Sequence, residues 1–295
     1  MTSSPNLVRA VLWMIGTLLS FSAMAVSVRG LAGVFSIPEI LTIRSSIGLL
    51  ILSSIALVTP SLWKQITLRR IGMHLARNSI HLGSQYLWAL GLTLLPLATV
   101  FALEFTMPAW TVPLAFLLLG EKPTLPRIGS VVCGFIGVLI ILRPGLAAFN
   151  PAALLVLVAA FGYATINVLT KKLTTTESAF AILFWMNLIQ ISLGYAFSDP
   201  LFFQKITVQS LIPMAGIGIA GLSAHFCLTH ALKVADATVV IPLDFMRIPL
   251  IAIVGWAFYG EALDVFVFAG ALVIVAGVLW ALKAEAKRVS AKAAA

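Results

Sequence analysis

The sequence predicts an all-α integral membrane protein of ten transmembrane helices, built as two inverted five-helix repeats. Three observations predict this class. Apolar side chains make up 61% of the 295 residues and charged ones only 10%, where a soluble domain carries about 25% charged residues. Apolar stretches lie near 8–28, 37–58, 71–92, 97–119, 128–142, 151–170, 178–197, 211–232, 237–259 and 265–282, most of them close to the roughly 20 residues that cross a hydrocarbon core. The last five also echo the first five. Leu103-Glu104-Phe105 returns as Leu243-Asp244-Phe245, Gly120-Glu121 as Gly260-Glu261, and Gly137-Val138-Leu139 as Gly277-Val278-Leu279, each 140 residues on. An odd number of spans per repeat makes the second copy enter the membrane from the opposite side.

Each element carries its own signal. The first span ends near Ala23-Met24-Ala25, a small-residue pattern like a signal-peptide cleavage site. Its apolar run of about 21 residues exceeds a typical h-region, so the helix is expected to stay. The third span aligns His74, Asn78, His81 and Gln85 within about 60° of one another at 100° per residue, with Trp88 continuing the stripe and Arg77 bordering it. The fourth and ninth carry Pro108 and Pro113, then Pro242 and Pro249, which should kink or unwind them beside the paired acids. Leu142-Arg143-Pro144-Gly145 stops the fifth helix and Pro151 starts the sixth. The first repeat is thus 8–143, the second 151–283, and 284–295 a cytoplasmic basic tail. Gly216, Gly218 and Gly221 spell G-x-G-x-x-G in the eighth span, but no strand precedes them, so close helix packing is the reading rather than a dinucleotide site. Cys133 and Cys227 lie inside spans as packed thiols.

The net charge of +9 is a topology signal. With the N-terminus inside, thirteen basic residues fall on the inner side (Lys64, Arg69, Arg70, Lys171 and Lys172 among them), against Arg29, Arg143 and Lys205 outside. That bias places both termini in the cytoplasm and removes nucleic acid as an expected partner.

Polar groups inside the spans are the candidate site. A charge at the bilayer centre costs on the order of 3 kcal/mol. Glu104 and Asp244 therefore need partners, and serve as candidates for proton coupling or ion pairing. Arg247 lies one turn from Asp244 and can pair with it. Glu104 has no basic residue within its own turn, so it either finds a partner on another helix, with Arg44 and Arg77 as candidates, or stays protonated. Three intramembrane arginines against two acids leave one positive charge to attract a carboxylate or phosphate. Arg77 is read as that charge, and Arg44 as snorkelling toward headgroups. The expected substrate-binding set is His74, Arg77, Asn78, His81, Gln85, Trp88, Asn167, Asn187, His225 and Arg247. Glu121 and Glu261 are read as complementing the dipoles of the helices that follow them.

The run Ala89-Leu90, Leu97-Ala98-Thr99-Val100, Pro108, Leu119-Gly120-Glu121 and Gly134-x-x-Gly137-Val138 resembles the EamA domain of the drug/metabolite transporter superfamily. The second half is similar again through Ala231-Leu232, Ala237-Thr238-Val239, Gly260-Glu261 and Gly277-Val278. The resemblance implies two tandem EamA repeats, a central cavity and alternating access. It also implies cargo drawn from amino acids, other metabolites, vitamins such as riboflavin, nucleotide derivatives or lipophilic cations.

The expected function is inner-membrane secondary transport of a small zwitterionic or anionic metabolite, with amino-acid export first. Import of a riboflavin-type vitamin or nucleotide-like compound is the alternative, and a passive facilitator a third reading. Partners are the metabolite, the lipid bilayer and protons as candidate coupling ion, with a monomer or homodimer as the assembly. No cofactor, metal or catalytic residue is expected, since no G-x-S-x-G, H-E-x-x-H or acidic metal-binding run occurs.

Overall fold

A computed structural model of the chain describes residues 6–31, 33–94, 100, 103–142, 152–247, 250, 253, 257 and 265–294. Their helices are α1 (Leu7–Leu31), α2 (Ile37–Val58), α3 (Ile71–Leu94), α4 (Met107–Leu119), α5 (Leu125–Leu142), α6 (Ala152–Leu173), α7 (Ala179–Ala196), α8 (Val208–Val234), α9 (Ala237–Val240) and α10 (Val265–Ala294). No strand occurs among the described residues. Local chemistry sets several ends. Ser36 and Glu39 form a capping box at the start of α2, with Pro38 in its first turn. Gly120 closes α4 at φ 68°, a left-handed conformation that costs other residues more.

Among the described residues six helices, α1, α2, α6, α7, α8 and α10, are long and apolar enough to cross a bilayer. Hydropathy and length thus support six of the ten expected spans; α4, α5 and the segment Ala237–Met246 are shorter apolar helices. The 24 residues of α3 suffice in length, but the His74–Gln85 stripe dilutes its hydropathy. The surface is inverted relative to a water-soluble fold. Val8, Leu117, Ile212 and Leu272 are 71–84% exposed, whereas His74, Arg77, Asn78 and Arg44 are at most 3% exposed. Large apolar side chains outside and polar ones inside are what a multi-pass membrane protein requires.

The expected breaks occur at the acids. Residues 105 and 106 form a turn between Glu104 and the first residue of α4, and Pro108 lies in that helix's first turn. In the second half α9 tightens into a 3-10 segment, Ile241–Met246, around Pro242 and Asp244. Pro249 lies outside the described residues.

Helix pairing follows the repeat. Helix α1 packs on α8 and α3 on α6; α2 packs on α7 and α5 on α10; α2 also meets α8, as α3 meets α7. Exchanging each helix for its counterpart five later converts this set into itself, as a two-fold axis demands. Residues 140 positions apart meet where that axis passes. The rings of Phe105 and Phe245 stack with centroids 5.9 Å apart. A Cβ on Gly137 would stand 2.6 Å from the Gly270 carbonyl, and one on Gly277 would stand 3.5 Å from Ser130 Cα. These are reciprocal contacts of the α5–α10 crossing, and they explain why glycine recurs at both positions.

The two halves run in opposite senses. At one end of the bundle Asn6, before α1, donates to the Val234 carbonyl at the end of α8. Lys171, at the end of α6, donates to the Leu232 and Ala235 carbonyls beside it. The beginning of α1 and the end of α6 therefore share one face.

That face is clamped by Arg127. Its guanidinium is 2.7 Å from Asp236 Oδ2 and 3.1 Å from Glu285 Oε2, and donates to Thr238 Oγ1 at 2.7 Å. Glu121 accepts from the backbone N–H groups of Ala237 and Thr238 at 2.9 and 3.0 Å. It caps α9 of the other half rather than complementing the helix that follows it, and Glu261 lies outside the described residues. The segment 284–295, expected as a tail, continues α10 to Ala294 and supplies Glu285 to the clamp. Removing one member of a buried ion cluster strands the others, at about 3–5 kcal/mol. Arg127→Met should lower the melting temperature of the detergent-purified protein clearly, and Arg127→Met with Glu285→Gln should recover part of it. An unchanged melting temperature in the single variant would show that the clamp does not hold the halves together.

Candidate binding cavity

A cavity of about 240 Å³ lies between the halves. Its wall takes Met14, Thr17, Phe21, Met24 and Val28 from α1 and Ile37, Ile40, Leu41 and Arg44 from α2. His81, Gln85, Trp88 and Ala89 come from α3, and Tyr163, Ile166 and Asn167 from α6. Ile217, His225 and Leu228 come from α8; Glu104, Met107, Ile241, Asp244 and Arg247 come from the two broken regions. Breaking the helices beside Glu104 and Asp244 is what lets both acids sit where the pseudo-dyad passes.

One pole is acidic with a shared cation. Arg247 Nη2 stands 2.8 Å from Glu104 Oε1 and 3.0 Å from Asp244 Oδ2. Trp88 Nε1 donates to Glu104 Oε2 at 2.7 Å. The partner of Glu104 is therefore Arg247 from the other half, not Arg44 or Arg77, because the axis brings residues 104 and 247 together. The Phe21 and Phe105 rings flank the guanidinium, with centroids 5.4 and 5.3 Å from Cζ, a cation–π setting. One guanidinium for two carboxylates leaves this pole with a formal charge of about −1 when both acids are ionised. Asp244 Oδ1, Gln85 Oε1 and Arg247 Nε are buried without a hydrogen-bond partner.

The other pole is basic. Arg44 was expected to snorkel, yet it is 3% exposed and lines the cavity. Helix α8 can lie against its aliphatic stem because residue 221 has no side chain: a Cβ there would stand 2.7 Å from Arg44 Cδ. Arg44 Nη2 donates to Gln190 Oε1 at 2.5 Å, and no carboxylate lies within ion-pair distance of it among the described residues. His81 and His225 stand beside it, their rings 5.1 Å apart and nearly perpendicular.

Of the expected site residues, His81, Gln85, Trp88, Glu104, Asn167, His225, Asp244 and Arg247 line this cavity. His74, Arg77, Asn78 and Asn187 do not. Arg77, expected on the wall, donates to Thr170 Oγ1 at 2.6 Å and to Asn78 at 2.8 Å, tying α3 to α6. Asn78 donates to the His74 carbonyl, Asn187 to that of Leu183, and the His74 ring lies 6.0 Å from Trp185. Sequence reasoning missed Tyr163 and Phe21, aromatics in apolar helices that carry no polar pattern of their own. It also missed Gln190, which shares a helix face with Asn187 three residues earlier.

The decoration is asymmetric on a near-symmetric shell. Gln85 and His225 are 140 apart and both line the cavity, as do Trp88 and Leu228. The counterparts of Arg44, His81 and Arg247 are Phe184, Gly221 and Met107. Arg247→Met would leave two carboxylates beside one another without a cation. It should cost about 3–5 kcal/mol of stability, and Glu104→Gln with Asp244→Asn in that background should restore most of the lost melting temperature. No recovery would mean that Arg247 stabilises the fold through packing on Phe21 and Phe105 rather than through charge.

The EamA-like transporter family matches residues 8–143 and 150–283. An S-adenosylmethionine uptake transporter of Rickettsia prowazekii (strain Madrid E) is 28% identical over 223 residues, 75% of this chain and 74% of that protein. A riboflavin transporter of Vibrio cholerae serotype O1 is 28% identical over 285 residues, 95% of each chain. A solved crystal structure superposes with a TM-score of 0.78 over 94% of this chain and 98% of its own, at 16% identity, which speaks to the fold alone.

Proposed function

This chain belongs to the EamA-like transporter family, and from that premise we propose that it carries a zwitterionic small metabolite across the bacterial inner membrane by alternating access. The family and the names of its relatives point to a transporter rather than an enzyme. In the proposed topology ten spans cross the bilayer with both termini cytoplasmic. The Arg127 clamp then closes the inner end, and the cavity wall on α1, α2 and α3 extends toward the outer end, where Ile37 and Val28 lie.

The carrying observation is the two-pole cavity. An ammonium or other cationic group suits the Glu104–Asp244 pole, where two carboxylates share one guanidinium and Asp244 Oδ1 lacks a hydrogen-bond donor. A carboxylate suits Arg44, which can receive it in bidentate geometry. Leaving such a buried acceptor unmatched costs about 1–3 kcal/mol, which a bound cation would recover. Amino acids have this charge pattern, and so does S-adenosylmethionine, whose relative-borne name supplies the first ligand to test. The aromatic wall of Phe21, Trp88 and Tyr163 suits a flat ring beside the charged end. Riboflavin is the second reading, favoured by the full-length relative and by the same aromatic wall.

Glu104 is the proposed coupling group. Proton binding there would loosen Arg247 from the first half and so bias the packing of the halves. Proteoliposomes holding the purified protein should accumulate S-adenosylmethionine when a pH gradient is imposed. Glu104→Gln should abolish the gradient dependence, with the remaining exchange of labelled for unlabelled substrate needing a higher substrate concentration because the cationic group loses one of its two carboxylates. Riboflavin accumulation without S-adenosylmethionine accumulation selects the second reading. Gradient-independent equilibration by the wild type points to a passive facilitator.

A further inference from the structure

Gln190 on α7 is 1% exposed and does not line the cavity, yet two of the cavity's polar side chains meet on it. Its Oε1 is 2.5 Å from Arg44 Nη2, and its Nε2 is 2.8 Å from His81 Nδ1. Ser45 Oγ stands 3.5 Å from the same Oε1.

The chemistry of the three groups fixes their protons. A guanidinium only donates, so the amide atom facing Arg44 has to be the carbonyl oxygen. The amide nitrogen therefore faces His81, and because that NH2 only donates, His81 Nδ1 accepts. A neutral imidazole accepting at Nδ1 carries its proton on Nε2. The amide also binds Arg44 without cancelling its charge, as a carboxylate at the same place would do.

We propose that Gln190 is a positioning residue for substrate recognition, holding Arg44 as a charged donor and His81 as an Nε2–H donor so that this pole accepts the carboxylate of the substrate. The proposal rests on the reading of the cavity as a zwitterion site. Gln190 acts through Arg44 and His81 and need not touch the substrate itself. It selects for substrates that bear an anion at this end over analogues that lack one.

The test compares uptake of S-adenosylmethionine with uptake of its decarboxylated analogue in proteoliposomes. Wild type should favour the carboxylated compound by at least about tenfold in KM, the scale of one charge-assisted hydrogen bond. Gln190→Glu retains the shape and the contact with Arg44 but opposes its charge and turns His81 to donate from Nδ1. It should reduce that preference about tenfold or more, with the maximal rate for the decarboxylated analogue held. Gln190→Met, which keeps the volume without the polar atoms, should lose the preference as well. A residue that merely tied α2, α3 and α7 together would lower stability in these variants and leave the ratio of the two substrates unchanged; that result overturns the proposal. If wild type carries neither compound, the zwitterion reading falls and this one with it. If it carries both with equal KM, only the anion pole fails. Histidine 15N spectra of the wild type supply a second readout independent of transport. The resonances lost in His81→Gln should show the Nε2-protonated tautomer, and a proton on Nδ1 would overturn the assignment.

Discussion

One guanidinium shared by two carboxylates holds the centre of this protein. Arg247 reaches Glu104 of the first half and Asp244 of the second, at the place where repeat-related Phe105 and Phe245 stack. Charges this deep persist only when a counter-charge or hydrogen-bond acceptors receive them. Pairing across the axis needs backbone that departs from regular helix, and the turn at 105–106 and the 3-10 segment Ile241–Met246 supply it. The same breaks open the space that becomes the cavity. A seam sealed by leucines would be more stable and would have no room for a ligand.

The clamp at Arg127 and the cluster at Arg247 divide the work of holding the halves together. Both join residues of different repeats, so both must rearrange if one half rocks against the other. The clamp lies at one end and joins the α4–α5 region to α9 and α10. The central cluster lies where the axis passes and changes least in position under such a motion. A carboxylate whose partner comes from the opposite repeat is suited to sense the relative placement of the halves, and Glu104 has that partner.

Much of the fold was legible because it is written twice. The 140-residue echo located the acids, the prolines beside them and the glycines of the α5–α10 crossing; Pro108 and Pro242 stand at the expected breaks, whereas Pro113 lies within continuous helix. The polar stripe of α3 was only half informative. His81, Gln85 and Trp88 face the cavity, but His74, Arg77 and Asn78 lie nearer the start of the helix, where α6 and α7 cover the same face. Angular position around one helix cannot report which neighbour covers each level. Arg44 was misread because distance from a helix end suggested snorkelling, while the residue that accommodates it, Gly221, sits 177 positions away in the sequence. Glu104 was assigned to the wrong arginine for the same reason: its partner is fixed by the two-fold arrangement of the halves. Asymmetric features, Tyr163 and Gln190 included, carry no echo and so gave no signal.

The central claim is that the seam between the repeats is a wet, ligand-binding compartment reached alternately from each face. Thiol accessibility tests it most directly. With Cys133 and Cys227 replaced by serine and a single Met107→Cys added, a membrane-impermeant thiol reagent should modify the cavity position from the outer face of sealed vesicles. Vesicles of the opposite orientation should also react, more slowly, and bound S-adenosylmethionine should protect the thiol in both. Absence of labelling from either face, with the same protein fully reactive after denaturation, would mean a dry seam and contradict the account.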